Sequence, residues 1–303
     1  MVVECWGSVV VSVAQCRHGR VKRCPAGVAT RATASLATDH GERRNHSGHA
    51  RGHVRMVGAL SLLLGLASRG GSSGRPNIIM ALGDDTGWHG VSWHQSEECR
   101  ADADCAMLTP HMEAALQEGI ELDQHYTYRF CSPTRAALLT GRLPIHVNQM
   151  NSAEYPWTAA AMHPSFVTMA EALRGKAGYA THQLGKWHLG LARQAFTPAG
   201  RGFDTSVGYL SGSEKHFSHM KGAEACKSGP INCTATCAVD FWHTAAPATG
   251  FDGVYSAEVY GSETVKIIEQ AAAAASAAQP FFVYLAFADT HEPLEAPQRF
   301  QDL

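Results

Sequence analysis

A chain of 303 residues, 45% hydrophobic, 17% charged and 8% aromatic, has room for one large domain or two ordinary ones. That composition excludes a mostly disordered chain, a coiled coil and a collagen-like fibre. The formal net charge of −2 supplies no overall basic field, so no nucleic-acid partner is expected.

The charge is unevenly spread. Residues 1–55 carry nine Lys/Arg against three Asp/Glu, a formal +6, which leaves −8 on the rest of the chain. No run of 18 apolar residues occurs, so no membrane span is expected. The stretch from Val54 to Ser68 has an arginine at its start, an apolar core from Val57 to Leu66, and small residues at Gly65 and Ala67. This is the three-part layout of a secretory signal, placed at residues 56–67. Met56 would begin that signal properly, so residues 1–55 read as a misassigned extension. The rival reading of this Arg-rich, acid-poor segment is an organelle transit peptide. The expected localisation is the secretory pathway, either secreted or lysosomal. Closely spaced cysteines, Cys99 with Cys105 and Cys226 with Cys233 and Cys237, suit an oxidising compartment, and Asn232-Cys233-Thr234 is a glycosylation sequon.

The ordered domain is expected over 76–303. Asn77–Leu82 is a short apolar run ending at Gly83-Asp84-Asp85, a buried strand and then a loop. Thr109-Pro110 opens a helix, with Thr as its cap and Pro in its first turn. A second helix begins beside Cys131, with Pro133 in the first turn. Ser165–Lys176 is amphipathic, with Phe166, Met169, Ala170 and Leu173 three and four apart. Tyr179–Leu184 reads as a strand ending at Gly185-Lys186, Tyr255–Ala278 as a long helix stopped by Pro280, and Phe281–Ala288 as a continuous apolar strand. Buried strands alternating with helices predict an α/β fold, a mostly parallel sheet with helices on both faces. Ligands bind such sheets beyond the carboxyl ends of the strands. Asp84/Asp85, Lys186/His188 and His291 each follow a predicted strand, so one rim is expected to gather them.

Taken singly, these groups have plain alternatives. Asp84-Asp85 offers two hard oxygen ligands for Ca2+ or Mg2+, or a solvated turn. Lys186-Trp187-His188 places an ammonium and an imidazole on one side of an extended segment, or a surface Lys and a core His. His291-Glu292-Pro293 is a general-acid candidate or a loop histidine. Cys131 at a helix start with Arg135 four residues on favours an anion, and is otherwise a structural thiol or half a disulfide.

Together they resemble a known family. Cys131-Ser-Pro-Thr-Arg135-Ala-Ala-Leu-Leu-Thr140-Gly141-Arg142 resembles the first sulfatase signature, C-x-P-x-R followed by a leucine and T-G-R. Gly178-Tyr-Ala-Thr181-His-Gln-Leu-Gly185-Lys186-Trp-His188 resembles the second, G-Y-x-T-x-x-x-G-K-x-H. Pro76-Asn77 to Asp85, Arg201-Gly-Phe-Asp204 and Thr290-His291-Glu292-Pro293 match in order. Gly208–Glu214 and Cys237–Phe241 are similar to the arylsulfatase B-like (N-acetylgalactosamine-4-sulfatase-like) branch.

The resemblance implies an alkaline-phosphatase-like sulfatase N-terminal domain that hydrolyses sulfate esters, aryl sulfates or sulfated sugars. It implies conversion of Cys131 to formylglycine by a formylglycine-generating enzyme, with a calcium ion (or magnesium) held by Asp84, Asp85 and residue 131. Arg135 would support the hydrate and Lys186 would bind sulfate. His188 would assist proton transfer, and His291 would protonate the leaving alcohol. Cys226 and Cys237 resemble a disulfide pair of the branch. The family's calcium site also uses an Asp-Asn pair, and its sulfate site a further Lys, downstream of the His291 motif and past Leu303. A smaller C-terminal domain is likewise missing, so weak calcium binding by this stretch is expected. The alternatives are a truncated non-catalytic sulfatase remnant, or a phosphatase or phosphodiesterase of the same superfamily, in which Ser or Thr normally stands at the nucleophile.

Overall fold

The computed structural model describes residues 9–12, 75–122, 124–147, 160–221, 238–274 and 279–302. In chain order the elements are β1 (Val9–Ser12), β2 (Ile78–Leu82), α1 (Glu97–Ala101), α2 (Pro110–Gln117), α3 (Cys131–Thr140), α4 (Met169–Ala177), β3 (Ala180–Gly185), β4 (Thr205–Gly208), β5 (Met220–Lys221), β6 (Ala238–Val239), β7 (Trp242–His243), β8 (Ala246–Pro247), α5 (Ser256–Ala273), β9 (Phe281–Ala286) and α6 (Gln298–Gln301). The main sheet has the order β1-β2-β9-β3-β4-β7-β8. Its centre, β2-β9-β3-β4, is parallel, and the flanking pairs are antiparallel.

β9 explains why the sheet is covered on both sides. Every residue of Phe281–Ala286 is buried. Phe282, Tyr284 and Ala286 join a cluster with Ala136 and Leu139 of α3 and Ala170 of α4. Phe281, Val283 and Leu285 alternate to the other side, packing with Val259, Tyr260 and Ile268 of α5. Its continuous apolar run is therefore two hydrophobic faces at period two, as a central parallel strand requires. The predicted α/β class stands.

Several boundaries differ from the sequence reading. α4 begins at Met169 rather than Ser165, because Thr168 caps it in a box: its hydroxyl accepts from Glu171 N, and the Glu171 carboxylate accepts from Thr168 N. Thr109 makes no side-chain cap to α2; its hydroxyl accepts from Ser92 N at 3.0 Å instead. α5 ends at Ala273 and β9 at Ala286. The signal segment 56–67, the sequon at Asn232, and Cys226, Cys233 and Cys237 lie outside the described residues. Cys99 and Cys105 form a disulfide. Among the described residues no helix is long and apolar enough to cross a membrane.

Candidate active site

The carboxyl ends of β2, β3 and β9 lie side by side, and the polar groups that follow them meet there. β3 closes at Gly185, whose φ of 93° and tight surroundings admit no side chain: a Cβ would lie 2.0 Å from the Ala286 carbonyl oxygen. The chain leaves this turn pinned by backbone bonds from Lys186 N to Ala286 O (3.0 Å), Trp187 N to Tyr209 O (3.0 Å) and His188 N to Leu210 O (3.2 Å). Lys186 and His188 are held fully buried as a result.

α3 docks against this turn through its first residues. Ser132 Oγ donates to the His188 carbonyl at 2.8 Å, and Arg135 Nη1 donates to the Lys186 carbonyl at 3.0 Å and to the Tyr284 hydroxyl at 3.1 Å. Cys131, the first residue of the helix, is a free, half-buried thiol. It lines one pocket with Asp84, Asp85 and Arg135, closed in by Thr127 and Tyr128. The peptide N–H groups of the first helical turn favour an anion near residue 131.

Asp84 is the electrostatic hub. Its carboxylate accepts from Lys186 Nζ and lies 3.5 Å from Arg135 Nη2. Burial pushes this carboxyl up, but Arg135 and Lys186 outweigh that and hold it below the usual carboxylate range. Burial, with Lys186 and Arg135 adding to it, keeps His188 well below the ordinary histidine value, so its imidazole is neutral at physiological pH. Asp85 and His188 both take left-handed backbone angles, each with φ of 54°. Such angles cost non-glycine residues about 1 kcal/mol or more and concentrate at functional sites. His291 Nε2 stands 3.8 Å from Asp85 Oδ2, and Thr290 Oγ1 donates to the Asp84 carbonyl, tying the segment after β9 to the acidic turn.

The structure thus brings together every site residue expected from the sequence: Asp84, Asp85, Cys131, Arg135, Lys186, His188 and His291. It adds Tyr284, which carries no motif signal, and gives parts to Ser132 and Thr290, which stand inside the motifs with no role expected of them. Tyr284 sits inside an apolar run, and only its polar hydroxyl facing α3 distinguishes it. Arg201 and Asp204 of the R-G-F-D stretch brace the scaffold: Arg201 Nη1 donates to Met162 O at 3.1 Å, and Asp204 Oδ2 accepts from Thr181 N at 2.9 Å.

A hard divalent cation needs six to eight oxygen ligands. Asp84 and Asp85 supply carboxylates, but Asp84 is already neutralised by two protein cations, and no group of three or more metal-ligating side chains gathers among the described residues. These residues alone do not make up a calcium shell.

The sulfatase family model matches residues 76–303. Arylsulfatase J of Mus musculus is 32% identical over 227 residues, 75% of this chain and 34% of that protein. Arylsulfatase A of Homo sapiens is 30% identical over 256 residues, 80% of this chain and 46% of that protein. The chain therefore spans between a third and a half of the length of these relatives. Among solved structures, Ps i-CgsB in complex with k-i-k-neocarrahexaose superposes with a TM-score of 0.56 at 24% identity, covering 74% of this chain and 47% of that one. At that identity the likeness concerns the fold.

Proposed function

The chain belongs to the sulfatase family, and from that premise we propose that it forms the nucleophile-bearing part of a sulfuric ester hydrolase, with Cys131 as the residue that a formylglycine-generating enzyme converts. The observation that carries this reading is the placement of Cys131 at the start of α3, in one pocket with Asp84, Asp85 and Arg135. As formylglycine, residue 131 would supply an aldehyde whose hydrate bears the nucleophilic oxygen.

The chain's own groups have distinct parts in this reading. Arg135 and Lys186 place two buried positive charges behind the pocket, and they draw a sulfate group toward residue 131. His188 is neutral because it is buried beside those cations, so it accepts a proton. His291 is partly exposed beside Asp85 and delivers a proton to the departing alcohol. Calcium, or magnesium, enters only as a partner of Asp84 and Asp85 together with further oxygen donors, and no step runs through it. The substrate class is a sulfate ester, either an aryl sulfate or a sulfated sugar of the N-acetylgalactosamine-4-sulfate kind. A site in the secretory pathway completes the proposal, in keeping with the Cys99–Cys105 disulfide.

The test is coexpression with a formylglycine-generating enzyme, then mass spectrometry of the peptide bearing residue 131 and comparison of aryl sulfate with aryl phosphate hydrolysis. Conversion at residue 131 and sulfate release that vanishes in Cys131→Ala support the reading. An unmodified Cys131, or preferential phosphate release, overturns it in favour of a non-catalytic remnant or a phosphatase.

A further inference from the structure

The segment that carries His291 rests on a residue outside every motif. His216 lies in the loop between β4 and β5, is only 2% exposed, and has no hydrogen-bond partner at either ring nitrogen among the described residues. Leaving a buried polar atom unmet is costly, and such groups are rare in folded proteins. The His216 backbone is firmly held: its N–H donates to Glu295 Oε2 at 2.6 Å, and its carbonyl accepts from Ser256 N and Ser256 Oγ at 2.9 and 3.0 Å. Its ring packs against that of Tyr255, whose hydroxyl donates to the Glu295 carbonyl at 2.9 Å. Glu295, four residues beyond His291, is thus held through its carboxylate by the His216 backbone and through its carbonyl by Tyr255. From the 288–295 segment Asp289, Glu295 and His291 face His216, from its own loop His219, and from the start of α5 Tyr255.

We propose that His216 is a positioning residue for segment 288–295: it seats the segment, and with it His291, while its imidazole is neutral, and releases it when the imidazole takes up a proton. The cage suits a neutral ring. Among the described residues it offers the ring no acceptor at hydrogen-bond distance, and two imidazoles stand among its neighbours. A proton on His216 is therefore better solvated once the segment lifts. Burial holds the group below the ordinary histidine value despite Asp289 and Glu295, so acidification favours the lifted form. The consequence for proton delivery rests on the role given to His291 above; the seating of the segment does not.

Hydrogen–deuterium exchange of the full chain separates the two. A group with the ordinary histidine value when released, and no protonation when seated, shifts the opening equilibrium by up to about thirtyfold between pH 7.5 and pH 5. Peptides covering 288–295 should exchange faster by up to that factor near pH 5, after correction for intrinsic rates, while β9 stays protected. H216F fills the same space without titrating and should abolish the acceleration; H216Q serves equally if H216F is not recovered folded. No acceleration in the unaltered chain overturns the proposal. So does the same acceleration in the variant, which would assign the effect to His291 or His219. Neither result depends on whether the chain hydrolyses sulfate.

Discussion

Arg135 Nη1 donates to the backbone carbonyl of Lys186 at 3.0 Å, so the arginine of one motif fixes the chain path of the other. This separation of 51 positions is bridged a second time by Ser132 Oγ to the His188 carbonyl. Both bonds are buried, with Arg135 only 1% exposed. The guanidinium also answers Asp84, whose other cation is Lys186. Removing the carboxylate strands two buried cations, and removing Arg135 leaves the Lys186 carbonyl and the Tyr284 hydroxyl without their donor, each at a cost of about 3–5 kcal/mol. Arg135→Ala should lose stability on that scale in urea unfolding, and Asp84→Asn, which strands two cations, should do likewise. A loss below about 1 kcal/mol in both would show that the triad is not coupled.

A second buried pair predicts a dependence on pH. Glu214 accepts from Ser256 Oγ at 2.8 Å and from the Tyr260 hydroxyl at 3.0 Å, and its other oxygen lies 3.8 Å from His219 Nδ1. Burial raises the Glu214 carboxyl despite these donors. Burial also opposes charge on His219, but Glu214 beside it prevails and raises that imidazole. Both folded-state values lie above the unfolded ones. The native chain therefore holds extra protons from about pH 4.5 upward, and this contribution to stability is lost as pH rises through the two raised values. Glu214→Gln removes the ionisable carboxyl. Its stability relative to the unaltered chain should improve as pH is raised from about 5 to 8, and a difference independent of pH would refute the assignment.

The site was legible in the sequence because its chemistry sits at strand ends, where short motifs mark both the turn and the side chains it aims. Cys131, Arg135, Lys186 and His188 each had a plain alternative when taken singly, and stood out through the resemblance of their two stretches to the sulfatase signatures; the close approach of Gly185 to β9 emerges only in the fold. Residues whose role depends on distant partners were not legible. Tyr284 looks like one more apolar strand residue until its hydroxyl meets Arg135, and Thr109 reads as a helix cap although its hydroxyl serves Ser92. Glu295 and His216, 79 residues apart, have no local pattern to join them. Helix ends fared similarly: Thr168 and Glu171 form a capping box that the apolar spacing from Phe166 obscured.

Calcium offers a direct check on the donor count. With Asp84 neutralised by Lys186 and Arg135, the described residues leave only Asp85 as an uncommitted carboxylate in the pocket. A shell so incomplete binds more weakly than about 1 mM. Calcium at that concentration should therefore raise the melting temperature of the 303-residue chain by no more than about 2 °C. Asp85→Asn should leave even this response flat. A rise beyond about 5 °C, abolished by Asp85→Asn, would show that further donors complete the shell.

The disulfide and the acidic turn are mechanically separate, although only a short stretch of chain lies between them. Cys99 and Cys105 are six residues apart, so the closed loop is short. Chain-entropy arguments assign a bridge of this span about 2 kcal/mol. The stretch between Asp85 and the bridge has its own anchors: Trp93 Nε1 and His94 Nε2 meet Glu121 Oε1 at 3.0 and 2.6 Å, and Ser92 bonds Thr109. Past the bridge, Met107 N donates to Gln95 Oε1 at 3.0 Å, closing the excursion without help from the sulfurs. A Cys99→Ser/Cys105→Ser double variant should therefore unfold at lower urea, with a loss of about 2 kcal/mol. Hydrogen exchange at residues 83–94 should stay as slow as in the unaltered chain, because the bonds that seat them do not pass through either sulfur. Faster exchange there in the double variant would mean that the bridge, rather than Glu121 and Thr109, holds the approach to Asp84 and Asp85.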